Sequence, residues 1–178
     1  MAITQQLARV TPAYLEECGA TAARTPNGSP GWSPPAADTL DTDWAIWGLV
    51  KAWPHLGGDP QHADALRRSI DGDPDGTGPD VEFLDHYDVY DGFGRPPALL
   101  TPAAVAETAA ALDAVDAFAL AGVLDRLAGR DPREAAVLCG FGEFSGDLVR
   151  YLRAHFDALR DFYRAAAHRR LAVVVWID

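Results

Sequence analysis

Apolar residues recur at helical intervals along much of the sequence, most regularly between residues 145 and 168. From Leu148 to Tyr163, leucine and aromatic side chains follow one another at spacings of three and four positions. This period places them on one face of an α-helix, and the length of the stretch predicts a helix that spans the domain. Residues 171–177 are an apolar, β-branched run that indicates a buried strand.

Helix starts are marked in four other places by a Thr or Asp that directly precedes a proline. Such a pair supplies a side-chain cap and a first helical residue whose φ is already helical. The pairs are Thr11-Pro12, Asp59-Pro60, Thr101-Pro102 and Asp131-Pro132. We expect a short helix over residues 13–17, one from 60 to about 70, a continuous helical stretch from 102 to about 129, and a further helix from 132.

The stretch 41–53 is the most apolar of the helix candidates, and Pro54 ends it. It contains Trp44, Trp47 and Trp53. Three tryptophans so close together are compatible with a platform on which a flat ligand stacks. We favour packing in the core, because aromatic side chains supply much of the buried area of small domains.

The N-terminal residues 2–10 alternate weakly between apolar and polar side chains and predict a strand. Prolines and glycines make 19–37 a predicted loop. The simplest topology pairs the N-terminal strand with 171–177 in a small sheet, with helices packed over one face. We therefore expect an α+β fold: a mainly helical single domain over residues 1–178, whose small sheet includes the N-terminal and C-terminal strands.

Composition is that of an ordinary globular protein, with 48% hydrophobic and 23% charged residues. The first residues lack the features of a signal peptide, and no stretch approaches the ~18 apolar residues of a membrane span. Cys18 and Cys139 lie far apart, so idle thiols in a reducing compartment are favoured over a disulfide. These features predict a cytoplasmic protein that does not enter a membrane.

Charge adds a local feature to this picture. The chain carries 26 acidic and 15 basic side chains, a net charge of −11, and a negative surface repels nucleic acid. Eight of the carboxylates lie between residues 71 and 91, a stretch without lysine or arginine that we call the acidic segment. They are Asp71, Asp73, Asp75, Asp80, Glu82, Asp85, Asp88 and Asp91. The acidic segment is either a solvated loop or a surface for a basic protein partner.

Part of the acidic segment has the residue spacing of a calcium-binding EF-hand loop. The matching residues are Asp71, Asp73, Asp75, Gly76 and Glu82. However, Gly78 stands where such loops normally carry an apolar residue, Pro74 and Pro79 stiffen the chain, and the sequence has no second loop of this kind. We favour a solvated loop, and calcium binding from Asp71 to Glu82 is an alternative.

No catalytic constellation is visible in the sequence. The histidines are His55, His62, His86, His155 and His168, and no two share a helix face at metal-ligand spacing. His86 beside Asp85 and Asp88 is the nearest approach to a catalytic pair, and His155 is predicted to be a core imidazole. The glycines of 140–146 are explained by a connection into the long helix, with Ser145 as its cap. The sequence therefore assigns no catalytic and no cofactor-binding residue, and it leaves metal ligands undetermined.

Three segments of the chain, taken together, resemble the YfbM-like family, a bacterial domain of unknown function. They are Leu-Asp-Thr-Asp-Trp-Ala-Ile-Trp-Gly-Leu at 40–49, the block 92–109 that begins Gly-Phe-Gly-Arg-Pro-Pro, and 151–175. Family members often carry a histidine after the first tryptophan, where this chain has Ile46, Trp47 and Gly48. The resemblance implies a single α+β domain with both terminal segments in the sheet, and it implies no activity.

The leading hypothesis from the sequence is a cytoplasmic binding or interaction protein without catalysis, with the acidic segment as the surface for a protein partner. One alternative is an enzyme whose site is assembled from residues that are distant in sequence. The other alternative is a calcium-binding module.

Overall fold

The computed structural model describes residues 3–73, 81–92 and 94–178. In this part of the chain the strands are β1 (Gln5–Val10), β2 (Thr39–Asp41), β3 (Ala98–Leu100) and β4 (Ala172–Ile177). The helices are α1 (Pro12–Arg24), α2 (Ala45–Ala52), α3 (Pro60–Asp71), α4 (Pro102–Ala114), α5 (Ala117–Ala128), α6 (Pro132–Leu138) and α7 (Leu148–His168). Short 3₁₀ turns lie at Ala36–Asp38, Pro54–Leu56 and Glu82–Leu84. This is the mainly helical α+β fold that the sequence predicts.

The four strands form one antiparallel sheet in the order β2-β1-β4-β3. At its centre β1 pairs with β4, with Leu7 opposite Val175 and Ala8 opposite Val174. The prediction that the N-terminal and C-terminal strands share a sheet is therefore confirmed. The three-residue edge strands β2 and β3 were not predicted, because strands this short leave no period to detect.

The sheet is buried on both faces, which corrects the expectation that helices cover one face only. Leu7, Val173 and Val175 pack against a large core formed with α2 to α7. The alternate residues of the same strands, such as Ala8 and Val174, pack on the other face under α1 and residues 81–90. β4 is apolar at every position from 172 to 177, and a strand of that composition needs an apolar neighbour on each side.

All four predicted helix starts are confirmed, each with a side-chain cap. The oxygens of Thr11, Asp59, Thr101 and Asp131 accept hydrogen bonds from the amides of Tyr14, Gln61, Ala104 and Arg133, at 3.1, 2.8, 3.3 and 2.9 Å. These bonds satisfy amides that have no partner within the helix. The local signal succeeds because a cap requires only residues adjacent in sequence.

Helix extents differ from the prediction in three places. α1 continues to Arg24, so the predicted loop 19–37 begins too early; Leu15 and Cys18 bury one face of this helix, and Gly19 is tolerated inside it. The stretch 102–129 is two helices, because Asp116 caps a new one through the amide of Ala119 at 2.7 Å. α7 is capped by Asp147 rather than by Ser145.

The helix predicted over 41–53 begins only at Ala45, since residues 39–41 belong to β2. Trp53 is fully buried, and its indole nitrogen donates to the carbonyl of Asp59 at 3.0 Å. Trp47 is half-buried and donates to Gln5 Oε1 at 3.1 Å. The core interpretation is therefore confirmed for Trp53. Among the described helices, none is long and apolar enough to cross a bilayer.

Candidate functional site

A polar concavity of the described chain is a groove of about 590 Å³ where α3, α4 and the residues before β3 meet. We call it the charged groove. Its lining consists of Asp64, Arg67, Arg68, Asp71, Gly72, Asp73, Arg95 and Glu107. Three guanidinium groups thus face four carboxylates across one open depression.

Arg68 is the central cation of the charged groove. Its Nη2 atom lies 3.3 Å from Asp73 Oδ2 and 3.0 Å from Glu107 Oε2, so it joins the end of α3 to α4. Its Nε is buried and has no hydrogen-bond partner among the residues that the structure describes. A guanidinium presents five N–H donors in a rigid fork, and Arg68 therefore keeps unused donor capacity inside the charged groove.

Arg95 and Asp71 separate the charged groove from a smaller cleft at the end of the sheet. Arg95 Nη2 lies 2.5 Å from Asp71 Oδ1. The cleft holds about 60 Å³ and reaches Gln5 and Trp47 at its base. Gln5 is buried; its amide nitrogen donates to the carbonyl of Trp176 at 2.8 Å while its oxygen accepts from Trp47. Its hydrogen-bonding groups are therefore committed to the fold.

Gly72 permits the close approach that shapes the charged groove. Its φ is +82°, in the left-handed region that favours glycine. A Cβ at this position would lie 2.7 Å from the Cβ of Ala98, closer than two carbon atoms that are not bonded to each other can approach. The end of α3 can therefore pass directly against β3 only with glycine here.

The calcium alternative falls partly on residues 74–80, which are outside the described residues. Of its matching positions, Asp71 faces Arg95 and Asp73 faces Arg68. One oxygen of each of these carboxylates therefore lies beside a guanidinium group. In residues 3–73, 81–92 and 94–178, no three His, Cys, Asp or Glu side chains are arranged to share a metal ion.

The other described carboxylates of the acidic segment are also engaged. Asp85 Oδ1 accepts the hydroxyl of Tyr90 at 2.7 Å, and Asp88 accepts the hydroxyl of Ser29. Glu82 and Asp91 have partners as well. The described carboxylates of the acidic segment thus have partners, which the interpretation as a solvated loop did not predict.

His86 belongs to the same set of contacts. The backbone amide of Asp88 donates to His86 Nδ1 at 3.1 Å. The other nitrogen, Nε2, then donates to the carbonyl of Asn27 at 3.2 Å. Both ring nitrogens have partners in the local fold, and Asp88 Oδ2 lies 3.6 Å from His86 Nδ1. His155 is half-buried, with its ring 4.7 Å from that of Tyr151.

A second polar cluster, Asp41, Asp43 and Tyr151, lies where β2 leads into α2. Asp43 has φ +49°, and its amide donates to Asp41 Oδ1 at 2.6 Å. The hydroxyl of Tyr151 donates to Asp43 Oδ2 at 2.9 Å. Burial, and then this hydrogen bond, raise the pKa of Tyr151. The phenol therefore stays protonated, and its hydroxyl holds the turn in place by donating to Asp43.

The pKa values of the two cysteine thiols are also raised. Cys18 and Cys139 are both free and buried, as predicted. Burial raises the pKa of Cys18, and it raises the pKa of Cys139 to about 11. Because the thiolate is the reactive form, both cysteines are less nucleophilic than an exposed thiol at neutral pH.

The arginines of the charged groove were not predicted from the sequence. A signal was available, since Arg67 and Arg68 stand just before the acidic segment and Arg95 just after it. Flanking charges of opposite sign indicate that a charged stretch folds back on its neighbours. Glu107 and the contact between Asp43 and Tyr151 had no such signal, because they join residues far apart in sequence.

Comparison with known proteins agrees with this description. The crystal structure of YfbM from Escherichia coli, a protein of unknown function, matches with a TM-score of 0.56 and 15% identity, over 98% of this chain and 99% of that chain. At this identity the likeness shows a common fold. No curated protein matches the chain. A family model described as a domain of unknown function, DUF1877, matches residues 63–176, which is more than half of the chain. The chain therefore belongs to the DUF1877 family.

Proposed function

We propose that the protein is a cytoplasmic binding protein, acting without catalysis as a single domain over residues 1–178, that holds a basic protein partner in the charged groove. The observation that carries this proposal is the exposure of carboxylates on the rim of the groove. The side chain of Asp64 is 74% exposed and that of Glu107 is 66% exposed. Each oxygen pair accepts several hydrogen bonds, so both carboxylates keep capacity for an incoming cation.

The charge of the whole molecule supports the choice of a basic partner. A net charge of −11 attracts a positively charged protein and speeds its encounter with the surface. Within the charged groove, Arg95 lies beside Asp71 and Arg68 lies beside Asp73. Asp64 and Glu107 also have partners, Arg67 at 3.4 Å and Arg68 at 3.0 Å, but they are the more exposed carboxylates. The recognition surface that we propose thus adjoins the acidic segment. The first two carboxylates of that segment, Asp71 and Asp73, line the same groove.

The direction of the pKa shifts supports binding rather than chemistry. Burial raises the pKa of Cys18, Cys139 and Tyr151, and each shift makes the neutral form more persistent. A nucleophile or a general base needs a shift that brings its reactive form toward neutral pH. These three groups are shifted the other way.

The test is capture of partners from a native lysate with the double variant Asp64→Asn, Glu107→Gln. Both changes keep the shape of the side chain and remove its charge. We expect the variant to bind the recovered basic partner about tenfold more weakly than the wild type in a biosensor measurement, because two interfacial ion pairs are lost. The wild-type complex is also expected to weaken as salt concentration rises.

The matched control is Asp125→Asn, Glu134→Gln, which removes the same charge from exposed positions on α5 and α6. It is expected to bind the partner as the wild type does. Equal weakening in both double variants would assign the effect to net charge and would contradict a site in the charged groove. Recovery of the same partners by all three proteins would contradict it as well.

A further inference from the structure

On the sheet face covered by α1, the structure contains a cavity that the charged groove does not use. It holds about 390 Å³ and lies between α1, β3 and residues 81–83. We call it the α1 cavity. Its volume is within the range of sites that enclose small molecules, for which about 300 Å³ is the lower end.

The lining of the α1 cavity is almost entirely apolar. Leu15, Phe83 and Leu99 provide the large side chains, from three separate parts of the chain. Among the described residues that line it, only Glu16 and Thr101 carry polar side chains. A surface of this composition favours a ligand with an apolar body, since burying such a body removes hydrocarbon surface from water.

Small residues on α1 make the room for this cavity. Gly19 and Ala20 stand where the helix passes residues 81–83. A Cβ on Gly19 would already contact the ring of Phe83 at 3.4 Å, in ordinary van der Waals distance. Any larger side chain on this side of the helix would therefore enter the space that a ligand needs.

Glu16 selects the charge of the ligand. It is exposed at the rim, and no hydrogen bond or ion pair joins its carboxylate to the part of the chain that the structure describes. Thr101 is different, because its hydroxyl oxygen already accepts the amide of Ala104 at 3.3 Å. A carboxylate beside an apolar cavity attracts an ammonium group and repels a second carboxylate.

From these observations we propose that the α1 cavity binds a small aliphatic amine, with its hydrocarbon body against Leu15, Phe83 and Leu99 and its ammonium group at Glu16. The negative charge of Glu16 disfavours a fatty acid of the same length. This site is separate from the charged groove, so its occupancy does not depend on the protein partner proposed above.

The probes are octylamine, octan-1-ol and octanoate, which share one hydrocarbon body and differ in charge. Binding to the full chain is measured by NMR titration, with the methyl signals of Leu15 and Leu99 as local reporters. We expect octylamine to bind several-fold more tightly than octan-1-ol, and octanoate to bind most weakly. Glu16→Gln is expected to reduce the affinity for octylamine to that for octan-1-ol.

Two helix variants locate the binding. Ala20→Leu places an apolar side chain over the α1 cavity and is expected to abolish binding of octylamine, whereas Ala23→Leu makes the same change at an exposed position of α1 that does not line it. Both variants are expected to keep the circular dichroism spectrum of the wild type. Octylamine binding that survives Ala20→Leu, or octanoate that binds as tightly as octylamine, would overturn the proposal. Absence of any shift at Leu15 and Leu99 would also overturn it.

Discussion

At the scale of single residues, Tyr163 links the core to the charged groove. It is fully buried, and its hydroxyl donates to the carbonyl of Ser69 at 2.8 Å. Ser69 lies in the last turn of α3, where carbonyl groups have no partner within the helix. One hydrogen bond from α7 therefore holds the helix end on which Arg68 and Asp71 are placed. Burial raises the pKa of Tyr163, which keeps this donor protonated.

Replacing Tyr163 by Phe removes the donor and leaves a buried carbonyl without a partner. We expect Tyr163→Phe to lower the free energy of unfolding by about 1–2 kcal/mol, measured by urea denaturation. Tyr87→Phe is the matched control, since the hydroxyl of Tyr87 also has a partner, Asn27, but the side chain is 72% exposed. Equal losses of unfolding free energy in the two variants would contradict the idea that the hydrogen bond of Tyr163 stabilises the fold because it is buried.

Asp38 provides a prediction about pH. Hydrogen bonds from Arg169 and then from Arg9 lower the pKa of its carboxyl to about 2. In the unfolded chain an aspartate has a pKa of about 3.9, so folding favours the ionised form of Asp38. This contribution to stability is present above the unfolded pKa and is lost as the pH falls toward 2.

The corresponding variant is Asp38→Asn, which cannot titrate. We expect it to be less stable than the wild type at pH 6, and we expect the difference in unfolding free energy to shrink between about pH 4 and pH 2. Urea denaturation of both proteins across this range measures the difference. A gap of constant size down to pH 2 would show that the ion pairs of Asp38 do not stabilise the fold.

At the scale of elements, most helix starts and the pairing of β1 with β4 were predicted, whereas the cap at Asp116 and the short edge strands were missed. The four capped helix starts, α7 and β4 were predicted because residues close in sequence determine them. β2 and β3 are three residues long, and only their pairing with β1 and β4 makes them strands. The charged groove combines α3, α4 and Arg95 for the same reason, so its charges were visible in the sequence and their arrangement was not.

The division between α4 and α5 gives a test at this scale. Asp116 caps α5 by accepting the amide of Ala119 at 2.7 Å. Asp116→Ala is expected to lower the free energy of unfolding by about 1 kcal/mol, the usual value of an N-cap. Asp125→Ala, at an exposed position later in α5, is expected to change it by less than about 0.5 kcal/mol. Thermal unfolding of the two variants distinguishes a cap from a general effect of removing charge.

At the scale of the whole molecule, the described carboxylates of the acidic segment have a structural role. Its eight carboxylates account for most of the net charge of −11. Among the described ones, Asp71 contacts Arg95 and Asp88 contacts Ser29, both outside the segment, and Asp85 contacts Tyr90 inside it. The charge density is therefore part of how this segment is held, and the outward charge that we propose for recognition lies on the neighbouring helices.

The pairing of β1 with β4 has a consequence for how the molecule forms. Gln5 hydrogen-bonds the carbonyl of Trp176, 171 positions further along the chain. Contacts between such distant residues require closure of a long loop and slow the folding reaction. On the ribosome, β1 can pair with β2 early, but its second partner β4 is synthesised only after residue 171. A ribosome stalled before residue 172 would carry a chain whose helices can form but whose sheet lacks the central strand β4.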